Sequence, residues 1–185
     1  TLLLAVSAPA QPPKAPGLRG VVLITIDTLR ADHLGSHGGP AATPHMDRLA
    51  REGADLLHAT TPTPSTGPAH ASLMTGLHPW RHGMLANAVR LSDEFPTLAA
   101  LANAEGIATA AVVSSFVLKK KFGLKRGFDF YHFRGSEAYV FGGTVRKRFW
   151  SRGETTTKLA IKLLDDFARD DSRRFLLWVH YFDPH

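Results

Sequence analysis

The sequence contains no cysteine. Disulfide staples and thiolate metal sites are therefore excluded, and sulfur gives no clue to the redox compartment. No apolar run approaches the roughly 20 residues that a membrane-spanning helix needs. There is no internal repeat and no RNA- or DNA-binding motif. A formal charge of +6 over 185 residues therefore fits an anionic small substrate or surface and is no nucleic-acid signature. What is present is ordinary for a folded domain: 44% apolar and 21% charged residues, enough to build one real core.

Residues 1–17, TLLLAVSAPAQPPKAPG, stand apart from the rest. Leu2-Leu3-Leu4-Ala5-Val6 is a short apolar run, and Ala8-Pro9-Ala10 supplies an A-x-A-like cleavage site. This resembles the end of a secretory signal peptide without its charged start, so a periplasmic or secreted location is expected. The bland alternative is a flexible Pro/Ala linker behind some upstream segment. A folded domain is expected over 18–185.

The first strand predicted is Val21–Ile26, VVLITI, a continuous β-branched run of the kind buried on both faces of a parallel sheet. Asp27 follows at once, where α/β sheets place their sites, and an acid ending an apolar strand needs a partner. Asp32 and His33 read as loop residues. Pro44–Glu52 has helical spacing of Met46, Leu49 and Ala50, with Gly53 as its stop. Further strands are predicted at 55–60, 107–113 and 175–182, and helices at 96–106 and 155–169. His180 reads as a packed core histidine and His82 as a turn histidine. The run Lys119, Lys120, Lys121, Lys125, Arg126 reads as a solvated face. Residues 139–152 look irregular, a substrate-side loop or plain surface. Strands alternating with helices predict an α/β fold with a mainly parallel sheet covered on both faces.

The chemistry centres on Thr66-Gly67-Pro68-Ala69-His70-Ala71-Ser72-Leu73-Met74-Thr75-Gly76. Pro68 suits a first helical turn, where its missing N–H costs nothing. Thr66 is therefore expected at or just before a helix N-terminus, whose amides and dipole favour anions. Thr is also a common N-cap with no further role.

This stretch resembles the nucleophile segment of the sulfatase family, within the alkaline phosphatase superfamily. Counting back from Thr75-Gly76 puts Thr66 at the nucleophile position and Pro68 at the family's Pro; Leu73 also matches. Thr66 stands where sulfatases have the Cys or Ser that becomes formylglycine. Ala69 and His70 replace Ser-Arg, and Thr-x-Pro-x-His is closer to nucleotide pyrophosphatases and phosphodiesterases. Asp27 matches the first of two adjacent metal-binding acids, while Thr28 replaces the second. Ser114-Ser115-Phe116-Val117 replace the sulfate-contacting Gly-Lys-x-His. Thr43-Pro44 to Gly53 and Gly127-Phe128-Asp129 match scaffold segments. His185 matches a substrate-contacting His after the last strand.

The resemblance implies an alkaline-phosphatase-like fold, apparently truncated, and a divalent metal cation held in part by Asp27 and Thr66. Calcium, magnesium, manganese and zinc are not distinguished. Thr66 would be the nucleophile on a sulfate or phosphate ester, and His185 would contact a non-bridging oxygen or the leaving group. The substrate expected is a small anionic ester, with a membrane-surface or envelope substrate possible and the oligomeric state open. The later Asp-His or Asp-Asn pair of the family does not occur by His185, so this chain alone is expected to be inactive. Alternatives are a phosphodiesterase or phospho-group transferase acting on envelope components, and a non-catalytic binding domain that retains the fold.

Overall fold

Short runs rich in β-branched and aromatic residues pair into one parallel sheet. In this computed structural model the described residues are 17–133, 135, 138–141, 144–147 and 150–184. The strands are β1 (Gly20–Ile26), β2 (Ala108–Val113), β3 (Phe130–Phe133), β4 (Ala138–Phe141), β5 (Thr144–Lys147) and β6 (Phe175–Tyr181). The helices are α1 (Pro44–Glu52), α2 (Thr66–Thr75), α3 (Pro79–His82), α4 (Leu98–Ala104) and α5 (Gly153–Ala168). The main sheet has the order β1-β6-β2-β3, all parallel. Strands β4 and β5 form an antiparallel hairpin inside the stretch that looked irregular.

Side chains alternate across a strand, so parity sorts them between the two faces. Ala111, Val113, Leu176 and Trp178 join Ala71 and Met74 of α2 and Ala99 of α4 in one core. Ala108, Ala110, Leu177 and Val179 join Ala160 and Phe167 of α5 in the other. The parallel sheet covered by helices on both faces is thus present. No helix among the described residues is long and apolar enough to cross a membrane.

Two further sequence expectations need correction. Residues 55–60 form no strand. Leu56 and Leu57 are 74% and 68% exposed. Asp55 instead pairs with His37 at 3.1 Å, and Ala59 N–H turns back to the carbonyl of Leu56. Two adjacent apolar residues without a neighbouring ladder do not hold a strand. Second, β1 is not buried on both faces. It is the sheet edge, and α5 packs over β2 and β6. The chain after Gly127-Phe128-Asp129 continues into β3, where Tyr131 is buried and its hydroxyl donates to the carbonyl of Leu118.

The basic run is only partly a solvated face. Arg126 pairs with Asp93 at 2.6 Å, and the Lys119 ammonium sits 4.6 Å over the Phe116 ring. Asp32 does stay in its loop, held bidentately by Arg30.

Candidate active site

Strand parity brings Asp27 to α2. Leu23 packs in the α2-side core and Thr25 touches α2, so Asp27, two further on, faces the same way. Its backbone N–H donates to the carbonyl of Tyr181 at 2.9 Å, extending the β1–β6 ladder by one rung. Thr66 is the first residue of α2, with Ser65 at the N-cap. The two side chains meet. Thr66 Oγ1 donates to Asp27 at 3.0 Å from Oδ2 and 3.2 Å from Oδ1. Asp27 is only 8% exposed, and Thr66 is half-buried. They lie at the C-terminal edge of the parallel sheet, where open α/β sheets carry their sites. His185 lies outside the described residues, as do residues 1–16.

The start of α2 offers less to an anion than a bare helix end would. The Gly67 amide is taken by Asn87 Oδ1 at 2.8 Å, and Pro68 has no N–H. Asn87 was not singled out in the sequence. It lies 20 positions from Gly67 on an irregular segment, with no pattern to betray it. Both non-glycine residues with positive φ among those described flank this place: Thr28 at 55° follows Asp27, and Ala88 at 66° follows Asn87. A β-branched residue there is an outlier, and such strain is concentrated at functional sites.

Two buried histidines complete the centre. His70 donates from Nδ1 to the carbonyl of Thr66 at 2.7 Å, since a carbonyl can only accept. Its Nε2 then accepts from the Thr25 hydroxyl at 3.1 Å, and Thr25 Oγ1 accepts from Trp178 Nε1–H at 3.0 Å. This chain ties the backbone of Thr66 to the central strand. Burial lowers the His70 pKa, against the opposing pull of the Thr66 carbonyl and the Asp27 charge. His180 is fully buried, as a core histidine should be. However, its Nε2 is 3.8 Å from Asp27 Oδ2, and its ring is 4.9 Å from that of His70 in an edge arrangement. Burial first, then His70, pushes its pKa down to about 3. Position in the strand register alone, Thr25 opposite His180, would have revealed this approach.

His82 takes the structural role read from the sequence. Its Nδ1 accepts from Met84 N–H at 3.2 Å, so Nε2 carries the proton and donates to Ser72 Oγ at 3.0 Å. Ser114 is also structural, donating from Oγ to the His180 carbonyl.

Asp27 is a buried carboxylate with no Lys or Arg in ion-pair contact among the described residues. Such a group suits a cation. The Thr66 oxygen beside it is a second hard donor. Among the described residues no group of three His, Asp or Glu side chains is placed to hold a metal. Asp27 and Thr66 therefore fit a divalent cation as part of a donor set.

The sulfatase family pattern matches residues 19–185. An ulvan-active sulfatase of Formosa agariphila is 30% identical over 183 residues, covering 89% of this chain and 35% of that protein. A multifunctional alkaline phosphatase superfamily protein of Trinickia caryophylli is 36% identical over 100 residues, 51% of this chain and 20% of its own. A solved structure in complex with its substrate D-glucosamine-2-N,6-O-disulfate superposes with a TM-score of 0.71 at 22% identity, covering 89% of this chain and 34% of that one. The fold is shared with that solved structure. The chain belongs to the sulfatase family. It spans about a third of the length of the relatives it matches over most of its own.

Proposed function

We propose that the whole protein is a metal-dependent hydrolase of anionic esters in which Thr66 is the nucleophile. The observation that carries this is the Thr66 hydroxyl, 3.0 Å from a buried Asp27 at the sheet's C-terminal edge. Asp27 accepts the Thr66 proton in its hydrogen bond and so points the oxygen lone pairs away from itself, toward incoming ester. A divalent cation bound there would lower the pKa of the hydroxyl and neutralise charge on the ester. Thr66 Oγ forms the bond to sulfur or phosphorus as the bond from that centre to the ester oxygen breaks. The proton given up by Thr66 leaves on that oxygen as the alcohol. Water then clears the Thr ester, its hydroxyl going to the released acid and its proton back to Thr66. His70 keeps the Thr66 backbone in place through the transfer. His185 is proposed to touch a non-bridging oxygen or the leaving group. The Leu2–Val6 run and Ala8-Pro9-Ala10 support export to the periplasm or outside.

Family membership favours sulfate esters. Two residue-level observations favour phosphorus as a second substrate class. Thr carries a methyl on Cβ and cannot be oxidised to formylglycine, so a sulfated Thr lacks the hemiacetal route of release. Ser115 and Val117 stand where the sulfatase resemblance places a Lys and a His; Ser115 is buried and Val117 packs against the core. A relative named as a multifunctional alkaline phosphatase superfamily protein is in keeping with more than one activity. The test is kcat/KM of the full-length protein on matched aryl sulfate and aryl phosphodiester. Thr66→Ala is expected to lose about a thousandfold or more on both, and Thr66→Ser far less. Undiminished turnover by Thr66→Ala would sink the nucleophile. Sulfate turnover with no phosphodiester turnover would sink the second class.

A further inference from the structure

His180 is the buried side chain of the centre to which the proposed reaction gives no task. It has no exposure at all, so it cannot touch an ester. Its setting is nonetheless built with care. Nδ1 accepts from the Ser114 backbone N–H at 3.4 Å. The Ser114 hydroxyl donates to the carbonyl of His180 itself. Thr156 of α5 stands 2.9 Å from the same hydroxyl oxygen. This clamp fixes the ring and leaves its proton on Nε2. That N–H is buried and has no hydrogen-bond partner. It faces Oδ2 of Asp27 at 3.8 Å.

A buried donor without an acceptor is costly, and native proteins seldom leave one unless some state of the molecule uses it. The reaction cycle supplies such a state. Oδ2 of Asp27 now accepts the Thr66 hydroxyl. Once Thr66 Oγ bonds to the ester centre, that hydroxyl no longer exists. Oδ2 of Asp27 would then have lost that hydrogen-bond donor. His180 Nε2–H stands next to the same oxygen, and a movement of under about 1 Å brings it to hydrogen-bond length.

Given the roles proposed above for Thr66 and Asp27, we propose that His180 is a positioning residue that takes over Asp27. Its Nε2–H replaces the Thr66 hydroxyl on Oδ2 and holds the carboxylate in one orientation while Thr66 carries the transferred group. Ser114 sets the tautomer that makes this possible. The residue acts through Asp27 and makes no contact with substrate.

The first test needs neither substrate nor metal. Long-range 1H–15N spectra of the full-length, metal-free protein, labelled at histidine, should show His180 as the Nε2–H tautomer. Asp27→Asn should shift its Nε2 resonance. An Nδ1–H tautomer, or a His180 signal indifferent to Asp27→Asn, would overturn the proposal. The second test is kinetic. His180→Gln keeps an N–H donor near the Nε2 position, whereas His180→Leu removes it. Leu is expected to lower kcat by about 10–100-fold with KM little changed, and Gln to recover most of that loss. Equal losses in the two variants, at equal thermal stability, would also overturn it. If both variants fail to fold, the spectra of the Asp27→Asn pair decide. A Thr66→Ala protein of full activity would instead refute the reaction, and the tautomer spectra would still report on His180 alone.

Discussion

Strands β1 and β2 look alike in sequence and live differently in the fold. GVVLITI and ATAAVV are both continuous apolar runs. Every residue of β2 is buried, whereas Val21, Val22 and Ile24 of β1 are 46%, 42% and 53% exposed. The cause is position. Strand β2 lies between β6 and β3 with helices over both faces; among the described residues β1 has β6 on one side alone. An apolar run encodes a strand but not its rank in the sheet. Asp27 follows the edge strand, while the histidines behind it belong to the closed side. The site is thus assembled across the boundary between a sealed and an open region.

Acid should separate these regions most sharply. His70, His82 and His180 are buried, and burial lowers the pKa of each. The native state holds them neutral while the unfolded chain binds protons from about pH 6.5 downward. Their contribution to stability is therefore whole above about pH 6.5 and is lost as pH falls toward the His180 value of about 3. Thermal unfolding followed by circular dichroism should give a steeply falling Tm across that window. A flat profile would mean the closed side is not closed.

The next effect in size belongs to Trp178, fully buried on β6 with its indole N–H on Thr25. Trp178→Ala should cost about 3–5 kcal/mol in urea unfolding. Val113→Ala on β2 should cost about 2 kcal/mol, whereas Ile24→Ala on β1 should cost under about 1 kcal/mol. Equal losses at 24 and 113 would erase the distinction between the two strands. Smallest is Thr28→Gly, which relieves a β-branched residue at φ 55° and should raise stability by about 1 kcal/mol or less.

Much of the plan was legible in the chain itself. Val21–Ile26, Phe175–Phe182 and the helix after Thr66 declare themselves by pattern, and Asp27 and Thr66 by resemblance. Their meeting required only that a strand end and a helix start share one sheet edge. What stayed hidden depends on register and parity. His180 was legible as a core residue, but its approach to Asp27 follows from β6 lying beside β1, which no local pattern states. Asn87 on the Gly67 amide is equally silent. Residues 55–60 misled because a pair of leucines imitates a strand when its neighbours are not known. Ser114 was noticed for the residues it replaces, and its grip on His180 appears only in three dimensions.

The pairing of β1 with β6 has a temporal consequence. These are the earliest and latest strands described, hydrogen-bonded along seven register positions from Gly20↔Phe175 to Ile26↔Tyr181. During synthesis Asp27 leaves the ribosome long before Tyr181, whose carbonyl receives its backbone N–H. With chain growth at about 5–20 residues per second, the β1 segment waits many seconds with its apolar edge unpaired. The edge can be closed only by a contact of very high sequence separation, the slowest kind to form. A nascent chain halted before β6 would hold Thr66 on its helix but leave Asp27 without its rung. The meeting of Asp27 with its rung therefore has to await the synthesis of β6.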